Sequence, residues 1–118
     1  MIEIPLEPVT KKNSQRIVMA GARPIIIPSK AYKQYEKDAS LFLRPLGIDY
    51  PVNIKCLFYM KTHRRVDLTN LLEAIDDVMV KAGTIKDDNY NIVAGHDGSR
   101  VLYDKDYPRT EIFIEEIE

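Results

Sequence analysis

Two acidic positions stand out by residue type and place. Asp67 lies where an alternating apolar stretch gives way to a helical repeat, and Asp88 lies just beyond the far end of that helix. A strand-to-helix junction aims a side chain over the edge of a sheet, where sites in α/β folds commonly sit. Two carboxylates that converge repel each other unless a cation lies between them. Mg²⁺ fills that role through oxygen ligands at roughly 2.0–2.1 Å, keeping water in the rest of its shell. Such an ion activates water and neutralises charge on a phosphoryl oxygen. Arg64 and Arg65, just before Asp67, are placed to hold neighbouring phosphates. The chemistry of this pattern is phosphodiester hydrolysis. A plainer reading stands beside it: Asp67 caps the helix, and Asp87-Asp88 is a solvated loop.

Other residues with chemical potential carry less. Asp77 is ten residues along the helix from Asp67. At about 1.5 Å per residue that is roughly 15 Å, too far for one ion to bridge, so its expected role is a surface partner for Lys or Arg. His96-Asp97-Gly98 reads as a turn or bulge with His96 exposed. His63 sits among basic residues and is placed to meet phosphate. Cys56 falls on the apolar side of a strand and reads as core. Tyr32 and Tyr35 are expected to pack on a helix face rather than stack on bases.

The elements that must position these residues follow from hydrophobic period. Residues 2–7 alternate and read as a strand. Residues 15–19 and 24–28 form a hairpin around Ala20 to Arg23. Ser29 is a candidate N-cap for a helix whose apolar face is Tyr32, Tyr35, Ala39 and Phe42, ending before Pro45. Val52, Ile54, Cys56, Phe58 and Met60 then alternate with polar positions. The second helix spans about Leu68 to Ala82, with Leu71, Leu72, Ala74, Ile75, Val78, Met79 and Ala82 on its apolar face. Asn70, Glu73, Asp76 and Asp77 form the polar face, and Gly83 is placed as its C′ residue. Residues 91–102 give one or two strands broken at Asp97-Gly98, and a last strand runs from Arg109 to Ile114. The order, roughly β-ββ-α-β-α-ββ, predicts a single α/β (α+β) domain over residues 1–118, with a mixed sheet and two packed helices.

Composition supports an ordinary globular domain. With 118 residues, the chain can bury a core without staples, and a single cysteine excludes an intramolecular disulfide. No apolar run approaches the roughly 20 residues needed to span a bilayer, so no membrane partner is expected. The start of the chain lacks a signal-peptide pattern, and the cytoplasm is the expected compartment. The net charge of −1 makes distribution decisive. Basic residues gather at Lys11, Lys12, Arg16 and Arg23 and again at Lys61, Arg64 and Arg65. Acidic residues gather from Asp67 to Asp77, at Asp87-Asp88 and in the last turn of the chain.

These motifs resemble the RusA family of Holliday-junction resolvases. Family members carry an Arg-rich strand end, then Asp-x-Asp-Asn opening a helix, then Asp-Asp after it, and begin with Pro followed by an Asn-containing loop. Arg64-Arg65-Val66-Asp67-Leu68-Thr69-Asn70 is similar to the first motif, Asp87-Asp88 to the second, and Pro8 to Asn13 to the loop. The resemblance implies a homodimer that cuts four-way junctions symmetrically with a divalent metal, Mg²⁺ or alternatively Mn²⁺. A phage or prophage setting is common in the family. By the same resemblance, Asp67 and Asp88 are metal-binding and catalytic, and Asn70 is the asparagine of the helix start. Lys11, Lys12 and Asn13 grip a DNA strand, together with Lys61, Arg64, Arg65 and Asn70. Two positions depart from the pattern. Thr69 replaces a second aspartate, and Glu73 stands where the best-known branch has a lysine. The two lie four residues apart on one helix face, so Glu73 is a candidate third metal ligand and catalytic carboxylate in compensation. Two alternatives remain: a non-catalytic binder of branched DNA with a weakened metal site, and a small-molecule phosphohydrolase.

Overall fold

The central strand is the one with the cleanest alternation. A computed structural model describes residues 1–11, 15–28 and 30–117. In it β4 (Val52–Met60) buries every second residue: Val52, Ile54, Cys56, Phe58 and Met60. The intervening side chains are half-buried on the opposite face, as a two-residue period requires. Chain order before it is β1 (Ile2–Ile4), the hairpin β2 (Gln15–Ala20) and β3 (Arg23–Pro28), and α1 (Lys30–Ser40). After it come α2 (Leu68–Ala82), β5 (Val93–Gly95), β6 (Arg100–Tyr103) and β7 (Arg109–Glu116).

The sheet is mixed. β7 pairs antiparallel with both β1 and β4, while β5 and β6 both run parallel to β4 on its other edge. β5 pairs with the start of β4 and β6 with its end, Leu57 to Met60 against Arg100 to Tyr103. They occupy one strand position, interrupted at Asp97-Gly98. Gly98 has φ of +87°, and a Cβ there would meet the Lys55 side chain at 2.8 Å, so this break requires glycine. β2 and β3 pair only with each other in a separate two-stranded ribbon.

Both helices pack against the core through the expected residues. α1 buries Tyr32, Tyr35 and Ala39. Phe42, expected on the same face, lies beyond the helix end and is exposed, because the helical period no longer places it once the helix stops at Ser40. Ser29, the expected cap, lies outside the described residues. α2 buries Leu71, Ala74, Ile75, Val78 and Met79; each large apolar side chain so buried contributes about 1.5–3 kcal/mol. α2 ends at Gly83 in the left-handed region, with φ of 80°, and the Gly83 N–H donates to carbonyls of the last turn.

Two expectations fail around Asp76. It belongs to the buried face of α2, being 8% exposed. His96 is not an exposed turn residue either: it is half-buried against that carboxylate, with Nε2 2.8 Å from Asp76 Oδ2. The His96 Nδ1–H donates to the Ile54 carbonyl at 2.8 Å. With one ring nitrogen donating to a carbonyl and the other facing a carboxylate, the pair must hold a proton between Nε2 and Oδ2. A charged residue within the helix is tolerated here because it is paired. The pair ties the middle of α2 to the end of β5. No helix of the described residues is long and apolar enough to cross a membrane.

Candidate active site

Asp67 and the basic segment before it leave the sheet at the end of β4. Lys61, His63, Arg64 and Arg65 are all exposed. Among the described residues, Lys61, Arg64 and Arg65 form no ion pair, whereas Lys11, Lys81, Lys86 and Arg109 each do. Three uncompensated cations therefore border the acidic residue that follows them.

Asp67 occupies the N-cap position of α2 with extended backbone (φ −91°, ψ 130°), yet its side chain makes no capping hydrogen bond. Its backbone carbonyl accepts from Leu71 N–H at 3.2 Å, as helix geometry requires. The exposed carboxylate instead accepts from Asn70 Nδ2 at 3.3 Å through Oδ2. Its acidity is thus not spent on the helix. Arg65, Val66, Asp67 and Asn70 line one recess of about 270 Å³. The structure brings together three of the expected site residues here.

Asp88 sits in the loop after α2, exposed. Its N–H donates to Asp87 Oδ1 at 2.7 Å, and Asp87 Oδ2 also accepts from Asn89. Partial desolvation, contact with the Asp87 carboxyl and the charge of Asp77 hold the Asp88 carboxyl above the usual carboxylate range. That negative potential is what a cation relieves.

Asp77 has the partner type expected of it: Lys11 Nζ lies 2.5 Å from Asp77 Oδ2. That contact, outweighing the cost of burial, raises the Lys11 pKa, with help from the charges of Asp77, Glu73 and Glu36. Glu73, exposed on α2, acts on the Lys11 ammonium. Among the described residues, no three His, Cys, Asp or Glu side chains gather as a metal-binding group. Asp67, Asp88 and Glu73 therefore form no three-carboxylate cage among the described residues; Glu73 lies in the second turn of α2, where its charge acts on Lys11, and Asp88 lies past the other end of the helix. The donors available at the loop and helix start are all oxygens, the ligand type of a hard divalent cation. Mg²⁺ is commonly bound by one or two carboxylates plus waters and substrate phosphate; the exposed Asp67 carboxylate beside Asn70 fits that mode, while Asp88 lies past the opposite end of α2 and does not join it.

Lys12 and Asn13, expected to grip DNA, lie outside the described residues. Cys56 is fully buried, and burial drives its thiol well above its ordinary pKa, so it is no nucleophile. Tyr32 and Tyr35 are core residues. The feature that sequence reading missed is His63 stacked on Tyr103, with ring centroids 3.8 Å apart. Only the pairing of β4 with β6 brings them together, and no local pattern announces it. A larger cavity of about 750 Å³ lies away from Asp67, by Asn53, Asp97, Glu115 and Glu116. Its acidic walls suit a phosphodiester poorly.

Residues 5–115 match the protein family described as endodeoxyribonuclease RusA. A curated relative, the crossover junction endodeoxyribonuclease RusA of Aquifex aeolicus (strain VF5), is 40% identical over 43 residues. That stretch is 36% of this chain and 34% of the relative, so the chain spans about a third of the length of the curated relative it matches. A match across nearly the whole chain, added to an uncapped helix-start aspartate behind free arginines, assigns the chain to the RusA endodeoxyribonuclease family.

Proposed function

We propose that this protein is a divalent-metal-dependent endonuclease that resolves four-way DNA junctions as a homodimer. The observation that carries the reading is the Asp67 carboxylate, which stands at a helix start without capping it and shares a recess with Arg65 and Asn70. Asp67 would hold the cation, Mg²⁺ by preference, with waters and substrate phosphate as further ligands; Asp88, past the other end of α2 and within the field of Asp77, stands apart from it. When bound, the ion supplies an activated water and neutralises the leaving oxygen.

The chain's own residues bind and orient. Asn70 fixes Oδ2 of Asp67. Arg65, lining the same recess, holds the phosphate to be cut, and Arg64 and Lys61 hold the flanking backbone. Lys11 exchanges Asp77 for a phosphate at low cost, because a half-exposed pair is worth only about 0–1 kcal/mol. Lys12 and Asn13 extend this grip. Glu73 tunes the charge around Lys11. In-line attack leaves 5′-phosphate and 3′-hydroxyl ends. A junction offers two equivalent strands, so a two-fold dimer places one site on each.

Incubation with an end-labelled synthetic four-way junction, with and without Mg²⁺, tests the reading. Paired, symmetric, metal-dependent nicks are expected. Tight binding without nicks favours a non-catalytic junction binder with Thr69 weakening the metal site. Neither binding nor nicks, with phosphate released from nucleotides, favours a small-molecule phosphohydrolase.

A further inference from the structure

The segment between β4 and α2 that lines the Asp67 recess through Arg65 also lines a second, smaller one, through His63 and Arg64, that the proposed mechanism does not use. It holds about 230 Å³, and its lining includes Met60, Val101, Arg64 and the stacked His63–Tyr103 pair. We propose that this recess is a nucleobase-stacking subsite, which takes an unstacked base at the branch point, next to the phosphate held at Asp67. The inference rests on the junction-cutting reading and deepens it.

The walls have the chemistry of a base platform. The His63 and Tyr103 rings are stacked at 3.8 Å with 20° between their planes. Tyr103 is nonetheless 45% exposed and Val101 37% exposed, and His63 is exposed. A pair of this kind would gain by burying more of its surface, and the flat face of a base is sequence-tolerant material for that. The volume is below the roughly 300–1,000 Å³ of small-molecule sites, which suits one planar ring rather than a whole nucleotide.

The platform is held before any ligand arrives. Met60 and Tyr103 are register partners at the ends of β4 and β6, and the next residue, Asp104, donates its N–H to the Met60 carbonyl at 2.9 Å. The Asp104 carboxylate accepts from Arg109 and from the backbone N–H groups of Asp106 and Tyr107. Tyr103 therefore stands at the start of a clamped turn. The same short segment that carries His63 also carries Arg64, on this recess, and Arg65, on the Asp67 recess. Arg64 and Arg65 are consecutive in the chain and line one recess each, so one DNA strand crossing that segment would meet both, a phosphate at Arg65 and a base at the His63–Tyr103 pair. Bases in a continuous duplex are not available for this, whereas those flanking a branch point unstack at lower cost.

The test uses a four-way junction carrying 2-aminopurine beside the branch point, bound without Mg²⁺ by the full chain. The wild-type protein and Tyr103→Phe are expected to bind and to shift the 2-aminopurine fluorescence. Tyr103→Ala and His63→Ala are expected to lose the shift and to bind about 5-fold or more weakly, with thermal melts showing that both remain folded. A junction bound and cut normally by Tyr103→Ala, with the fluorescence shift unchanged, overturns the subsite alone. A wild-type protein that binds no junction overturns the junction-cutting reading and this subsite with it.

Discussion

Asp67 stands at a position where a side-chain oxygen ordinarily satisfies an orphan helix N–H, and it does not do so. Its carboxylate is oriented by Asn70 instead, which leaves its charge for a ligand. Thr69, exposed two residues on, would be the weak point of the proposed cation site, because its hydroxyl contributes no charge. Thr69→Asp is expected to raise divalent-metal affinity, measured by calorimetric Mn²⁺ titration. It should also stabilise the helix start by about 0.3–1 kcal/mol through the dipole. Unchanged metal affinity would show that position 69 lies outside the cation's reach. The place of Asp67 at the strand-to-helix junction was legible from its type and spacing. That it does not cap was not, since capping depends on side-chain orientation that spacing leaves free.

At the scale of elements, α2 is the part that joins the site to the sheet. Asp67 precedes it, Asp88 follows it, and the Asp76–His96 pair pins its middle to the end of β5. Burial works to lower the His96 pKa, but the hydrogen bond and charge of Asp76 and the Ile54 carbonyl outweigh it and hold it above 6.5. The stability this pair contributes is fully present below the unfolded value of about 6.5 and is lost as pH rises through the folded value. The melting temperature should therefore fall as pH is raised through that window. Asp76→Asn, whose amide can donate to a neutral His96, should flatten the dependence. A wild-type melt indifferent to pH there would contradict the shared proton. Gly83→Ala, forced into left-handed backbone with its Cβ 3.4 Å from Pro45, should cost about 1–2 kcal/mol in chemical denaturation. A loss below a few tenths would mean that the turn relaxes freely. The period-two pattern of β4 and the helical period of α2 were readable because each repeats a single burial rule. Asp76 was not, because a helical period sorts charged residues outward. Its partner lies twenty residues away, beyond the loop that returns the chain to the sheet.

For the whole molecule, a net charge of −1 means that the proposed DNA affinity must come from local cations rather than overall attraction. Lys61, Arg64 and Arg65 are exposed and unpaired among the described residues, so their contribution should be read in salt dependence. Each removed phosphate contact should reduce the slope of log affinity against log salt by about 0.9 for duplex arms. Alanine at Arg64 should show that change in a salt titration of junction binding, and an unaltered slope would remove Arg64 from the backbone contacts. The central claim is tested most directly by comparing junction cleavage and junction affinity in the wild type and Asp67→Asn. The account predicts metal-dependent nicking that falls roughly 100-fold or more on loss of that carboxylate, with affinity in the absence of metal within a few-fold. Cleavage undiminished in Asp67→Asn would contradict it.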